Sequence, residues 1–197
     1  MIALIRPPCP NPKALIAGNY KHPDNKNALR KSTSGKCMYC ESKMEHNSFS
    51  QIEHIKPKSK FPELEFEWEN LGFSCEWCNN NKRDKYSDKM PFINPYNENP
   101  EDNIEFKSFI ISPKQGSERG LYTINEIDLN RAGLIEDRKE KIDKINMMIS
   151  AANRTSSESL RNQTIEAVKE EAEKDKEYSA MIKSVLLAEG ILEPKKH

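Results

Sequence analysis

Four of the five cysteines fall into two Cys-x-x-Cys pairs, Cys37/Cys40 and Cys75/Cys78, with 34 residues between the pairs. Two such pairs in a reducing compartment point to one tetrahedral four-thiolate zinc site, each pair wrapping a knuckle around the ion. Between them runs Gln51-Ile52-Glu53-His54-Ile55-Lys56-Pro57-Lys58-Ser59-Lys60. A carboxylate suits a hard cation such as magnesium, and an imidazole titrating near neutrality can take a proton from water. The lysines that follow suit a phosphate. The second cysteine pair leads straight into Asn79-Asn80-Asn81-Lys82-Arg83. Asparagine is a mediocre helix former and a poor core residue, so the run calls for a turn or a ligand.

These side chains need elements to hold them. Residues 48–55 read as a strand, and Pro57 keeps the chain extended beyond it. Neighbours on a strand point to opposite faces, so Glu53 and His54 share a site only if the strand bends or ends there. Glu63, Glu65, Glu67 and Glu69 alternate with Leu64, Phe66 and Trp68, a pattern that predicts a half-buried extended segment. Trp77, between two cysteines, is expected to cover the zinc knuckle. Little in this region makes a long apolar run, and a four-cysteine zinc site typically contributes on the order of 10–16 kcal/mol of apparent binding energy to folding. Cys9 has no partner spacing. His22 and His46 have no ligand-like company, and His197 is the last residue.

Around this region the chain divides into four stretches. Residues 1–30 are a Pro-rich N-terminal extension expected to pack locally, with a helix around residues 25–30. Residues 31–90 hold the zinc-stabilised core. Residues 91–125, with four prolines plus Gly116 and Gly120, read as connecting loops with at most short strands. Residues 126–197 carry apolar residues at helical spacing (Ile142, Ile145, Met148, Ile149, Ala152, then Ile165, Val168, Ala172, then Tyr178, Met181, Ile182, Val185, Leu186) and predict two or three amphipathic helices. Thr155-x-x-Glu158 fits a capping box for the second, and Gly190 a stop for the last.

The order Cys-x-x-Cys, Glu-His-Ile-x-Pro, Asn-Leu, Cys-x-x-Cys-Asn-x-x-Lys over residues 36–86 resembles the HNH nucleases of the ββα-metal type in their four-cysteine zinc form. The resemblance implies an α+β fold: a small zinc-stapled ββα-metal (HNH, treble-clef-like) core with an α-helical C-terminal region. It implies that His54 is the general base, that Glu53 and Asn79 hold a catalytic magnesium or manganese ion, and that Asn70 orients the loop carrying the histidine. By the same resemblance Lys82, with Arg83, faces the phosphate backbone, while Asn80 and Asn81 are solvent-exposed. Many members of the family have Asp in place of Glu53 and His in place of Asn79. Tyr39-Cys40-Glu41, Lys58-Ser59-Lys60-Phe61-Pro62, residues 94–102, Asp128-Leu129-Asn130 and Arg138 are similar to the HNH subunit of Septu-type and retron-associated anti-phage systems. There the nuclease works beside an ATPase, which would give the helical region a docking role.

Composition bounds these expectations. Lys plus Arg and Asp plus Glu number 31 each, so no net basic field announces a nucleic acid. Phosphate contacts must come from local clusters, Lys56, Lys58, Lys82 and Arg83. Mean hydropathy is −0.85 with 36% hydrophobic residues, polar overall yet able to build a core. The first residues lack the apolar core of a signal peptide and no stretch reaches membrane-spanning length, so the expected setting is the cytoplasm, with no membrane partner. Two rivals stand beside a DNA endonuclease: an RNA (tRNA) nuclease of the same fold, and a non-catalytic zinc-dependent binding module.

Overall fold

The computed structural model describes residues 1–44 and 50–194; His46, His197 and the first part of the strand expected at 48–55 lie outside the described residues. A two-stranded antiparallel hairpin forms the centre. Strand β1 (Ser50–His54) pairs with β2 (Leu71–Cys75), setting Glu53 opposite Gly72 and His54 opposite Leu71. The chain then turns directly into a helix, Glu76–Lys82, capped by Cys75, whose Sγ accepts the Cys78 N–H at 3.4 Å. All five residues of β2 are buried, and both α2 and α3 pack on the strand. The α+β class and the ββα order are as expected.

Two short helices precede the hairpin: α1 (Pro12–Ile16) and α2 (Pro23–Ser32), each with proline in its first turn, where the missing N–H costs nothing. The helix after β2 is therefore α3. The N-terminal stretch packs locally and also reaches the core. Arg6 Nη1 donates to the carbonyls of Trp68 and Leu71 at 2.9 and 2.8 Å, and Trp68 Nε1 donates to the Pro7 carbonyl at 2.8 Å. Asn25 and Asn11 bond reciprocally, which ties α1 to α2.

Beyond the core, β3 (Ile104–Lys107) and β4 (Ile110–Pro113) form a second hairpin. Helix α4 (Glu118–Ile127) lies largely inside the stretch expected to be loop. Gly120 is part of that helix: a Cβ there would collide with the Asn103 carbonyl, so glycine serves close packing here and not a chain break. Then come α5 (Ala132–Arg154), α6 (Glu158–Glu170) and α7 (Ser179–Ala188). Helix α5 buries Leu134, Arg138, Ile142, Ile145 and Ala152 along one stripe and packs on α6. The cap of α6 is Ser157, whose Oγ accepts the Leu160 N–H, while Thr155 Oγ1 serves the Ser157 N–H. Thr155 thus stands two residues early for the expected capping box. Gly190, at positive φ, follows the end of α7 as expected.

Candidate active site

Cys37, Cys40, Cys75 and Cys78 converge, all buried, with their sulfurs within 4.8 Å of one another. The Cys40 and Cys75 sulfurs are 3.8 Å apart. A tetrahedron of zinc–sulfur bonds of about 2.3 Å has an edge of about 3.8 Å, so the cluster fits zinc in both size and ligand chemistry. Its surroundings fit as well. Arg131 Nη1 approaches Cys78 Sγ at 3.8 Å, a positive charge beside four sulfurs that bind metal as anions. Trp77 does not cover the knuckle; it is 68% exposed.

The hairpin and the knuckle together place Glu53 and His54. Glu53 is buried, and its Oε1 meets Lys82 Nζ at 2.7 Å and the Tyr39 hydroxyl at 3.3 Å. Burial lifts this carboxyl above the ordinary range, and the Lys82 charge pulls against that rise. Lys82 Nζ also donates to the His54 carbonyl at 2.8 Å. Lys82 was expected at the surface facing phosphate; it is instead buried, its ammonium committed to the two residues at the end of β1. Asn79 lies three residues earlier on α3 and is half-buried; positions three apart share a helix face. An amide oxygen and a carboxylate are both donors of the type a hard divalent cation takes.

His54 is the last residue of β1, so the strand ends where Glu53 and His54 stand. The His54 ring leaves the strand toward the loop 55–70, where Nε2 lies 3.0 Å from the Glu65 carbonyl. A carbonyl can only accept, so Nε2 carries the hydrogen and Nδ1 of the neutral ring is the basic nitrogen. Burial pushes the His54 pKa down, and the Glu65 carbonyl works in the opposite direction.

Asn70 locks that loop. Its Oδ1 accepts the Lys56 N–H at 2.7 Å, and its Nδ2 donates to the carbonyls of Lys56 and Leu64, both at 3.0 Å. Residues 63–69, expected to be extended, instead run between two 3₁₀ turns (Pro62–Leu64 and Trp68–Asn70) folded around this amide.

The remaining basic residues sit nearby in different states. Lys56 lies over the rings of Phe61 and Tyr86, at 5.0 and 5.5 Å. Lys58 is exposed and paired with Glu65 at 2.7 Å. Arg83 is exposed, its Nε bonded to the Asn80 carbonyl. Asn80 is exposed as expected, whereas Asn81 is half-buried and donates to the Ile127 carbonyl at 3.1 Å, holding the end of α4.

Comparison with known proteins agrees with this arrangement. A family model described as HNH endonuclease matches residues 37–85. Residues 37–85 are an HNH endonuclease domain. A Septu protein PtuB of Bacillus thuringiensis is 30% identical over 175 residues, which cover 81% of this chain and 66% of that protein. A second Septu protein PtuB, of Bacillus mycoides (strain KBAB4), is 31% identical over 150 residues, 60% of this chain and 51% of that protein. The chain thus spans just under two thirds and about half of the lengths of these curated relatives. The HNH domain holds the four cysteines, Glu53, His54, Asn70, Asn79, Lys82 and the flanking basic residues, while residues 94–102, Asp128-Leu129-Asn130 and Arg138 lie beyond it. No helix among the described residues is long and apolar enough to cross a membrane.

Sequence reasoning missed Arg6, Arg131 and Tyr20 as contributors to this domain. Tyr20 packs edge-on against the His54 ring, with centroids 4.7 Å apart. None of the three carries a local signal, since each reaches its target across more than 30 residues of chain.

Proposed function

We propose that the chain is a metal-dependent endonuclease that hydrolyses nucleic-acid phosphodiester bonds, DNA ahead of RNA, as the nuclease effector of an anti-phage defence system. The carrying observation is His54 at the end of β1, its Nε2 bound to the Glu65 carbonyl, beside a buried Glu53 carboxylate. In this proposal His54 Nδ1 takes the proton from the attacking water. Asn70 holds the loop that fixes the ring. Glu53 and Asn79 are the residues that would hold magnesium or manganese, and Lys82 holds Glu53 and the His54 backbone together. When bound, such an ion polarises the scissile phosphate and stabilises the departing 3′ oxygen. Lys56, Lys58 and Arg83 would meet neighbouring phosphates, and the four cysteines would hold structural zinc.

The defence setting is supported by the two relatives named Septu protein PtuB. An ATPase partner docked on residues 126–197 follows from the same likeness. Met147 of α5 and Leu160 of α6, large apolar side chains that stand exposed, support a protein-binding face there. Cysteines that form no disulfide suit a reducing compartment such as the cytoplasm.

The test is nicking of supercoiled plasmid with magnesium, manganese or EDTA, with His54→Ala run in parallel at matched zinc content. General-base catalysis contributes roughly 10²–10⁴-fold, so the variant should lose nearly all activity. Cleavage of tRNA but not plasmid would move the substrate to RNA. Wild-type protein inert on plasmid, single-stranded DNA and tRNA, even beside its ATPase partner, would leave a zinc-dependent binding module.

A further inference from the structure

Four residues form a closed circuit around His54. Its Nε2 bonds to the Glu65 carbonyl at 3.0 Å, and the Glu65 carboxylate is held by Lys58 Nζ at 2.7 Å. The same Nζ reaches the Tyr20 hydroxyl at 3.5 Å and lies 5.1 Å from the centre of the Tyr20 ring. The Tyr20 ring closes the circuit edge-on against the His54 ring, 4.7 Å between centroids at 73°. Three members belong to the HNH domain. The fourth comes from the turn between α1 and α2, outside the matched residues 37–85.

That turn is built to hold its place. Gly18, at positive φ, donates its N–H to the Leu15 carbonyl at 2.9 Å, and the Asn19 N–H reaches the Ala14 carbonyl at 2.8 Å. On the other side α2 is fastened to the hairpin by Lys26 Nζ, which donates to the Ser50 carbonyl at 3.0 Å. Tyr20 therefore meets His54 from a support anchored on the very strand that carries the histidine. An imidazole with one hydrogen bond, at Nε2, can still turn about its Cβ–Cγ bond; a ring packed against its side restricts that turn.

We infer that Tyr20 is a positioning residue for His54, so that the N-terminal extension completes the active site of the HNH domain. The inference rests on the proposed role of His54 as general base. Tyr20 acts through the histidine: it fixes the ring plane, and so keeps Nε2 on the Glu65 carbonyl that sets the tautomer and leaves Nδ1 free.

The experiment compares Tyr20→Ala and Tyr20→Phe with the wild-type full chain, each at matched zinc content and melting temperature. The first readout is the nitrogen-15 spectrum of the His54 ring, which needs neither substrate nor activity. Wild type and Tyr20→Phe should give one Nε2–H tautomer; Tyr20→Ala should give a mixture. The second readout is plasmid nicking. Misplacing a catalytic group by an ångström can cost about 10²-fold, so Tyr20→Ala should lower kcat by at least about 10-fold with little change in KM. Tyr20→Phe keeps the ring and should restore kcat. An unchanged His54 ring spectrum in Tyr20→Ala overturns the inference whatever the activity. A changed spectrum in a protein whose wild type cuts neither plasmid, single-stranded DNA nor tRNA, even beside its ATPase partner, sustains the positioning contact and overturns the nuclease proposal instead.

Discussion

Lys82 Nζ lies 2.7 Å from Glu53 Oε1, and neither side chain is more than 2% exposed. Breaking a buried ion pair by removing one partner costs roughly 3–5 kcal/mol, because the other charge is left without compensation. Lys82→Met should therefore lower the melting temperature by about 2–4 °C per kcal/mol lost. The double variant Glu53→Gln/Lys82→Met should recover much of that loss. A single Lys82→Met that melts like wild type would mean that the pair contributes nothing to the fold.

Asn70 makes three hydrogen bonds to the backbone of the loop it closes. Asn70→Ala strands buried groups at about 1–3 kcal/mol each, while Asn70→Asp keeps the acceptor for the Lys56 N–H and loses the donors. Amide hydrogen exchange at Lys56 distinguishes the two: protection should persist in Asn70→Asp and fall in Asn70→Ala, with nicking reduced in both. Equal protection in both variants would remove Asn70 from its loop-closing role.

His54 sits below the usual histidine range because burial penalises its charged form. A base with a lowered pKa stays unprotonated further into acid. The acid limb of kcat/KM should therefore fall below pH about 6.5, with activity full above that limb and lost as pH drops through it. An acid limb at or above the free-histidine value would exclude His54 as the titrating base.

Arg131 reaches Cys78 Sγ from the start of α5. Groups that support metal ligands from outside typically account for about 10–100-fold in metal affinity. Arg131→Ala should keep zinc on purification and release it faster to a chromogenic chelator. Cys78→Ser should lose it outright, together with the near-ultraviolet signature of a packed core. Identical release from Arg131→Ala and wild type would show that the guanidinium has no hold on the metal.

How much of this was legible in the sequence depends on the range of each contact. The knuckles and the first strand were, because cysteine spacing and strand length are local facts; the second strand of the hairpin and α3 were expected only through the family resemblance. Lys82 was misplaced because one helical turn decides whether a lysine faces solvent or a carboxylate, and only the hairpin's packing against α3 sets that turn. Helix α4 was hidden by Gly120, which reads as a breaker and serves as a contact with Asn103. The alternation in residues 63–69 was periodic yet folded into 3₁₀ turns, since Asn70 and Arg6 claim the carbonyls an extended strand would have paired. Tyr20 left no trace at all: one aromatic residue in a polar turn has meaning only once α2 lies along the sheet.

The first knuckle is also fastened to the last helix. Glu41, next to Cys40, takes bonds from Ser179 Oγ at 2.9 Å, the Ala180 N–H at 3.3 Å and Lys36 Nζ at 3.3 Å, and Lys36 Nζ in turn grips the Lys176 carbonyl at 2.8 Å. A tug on α7 is thereby a tug on the thiols, with no slack between them. The HNH domain cannot be lifted out of this chain as a cassette: cutting before α7 would leave a buried carboxylate and a buried ammonium facing water at the rim of the metal site. The last helix is thus part of the frame of the four-cysteine site.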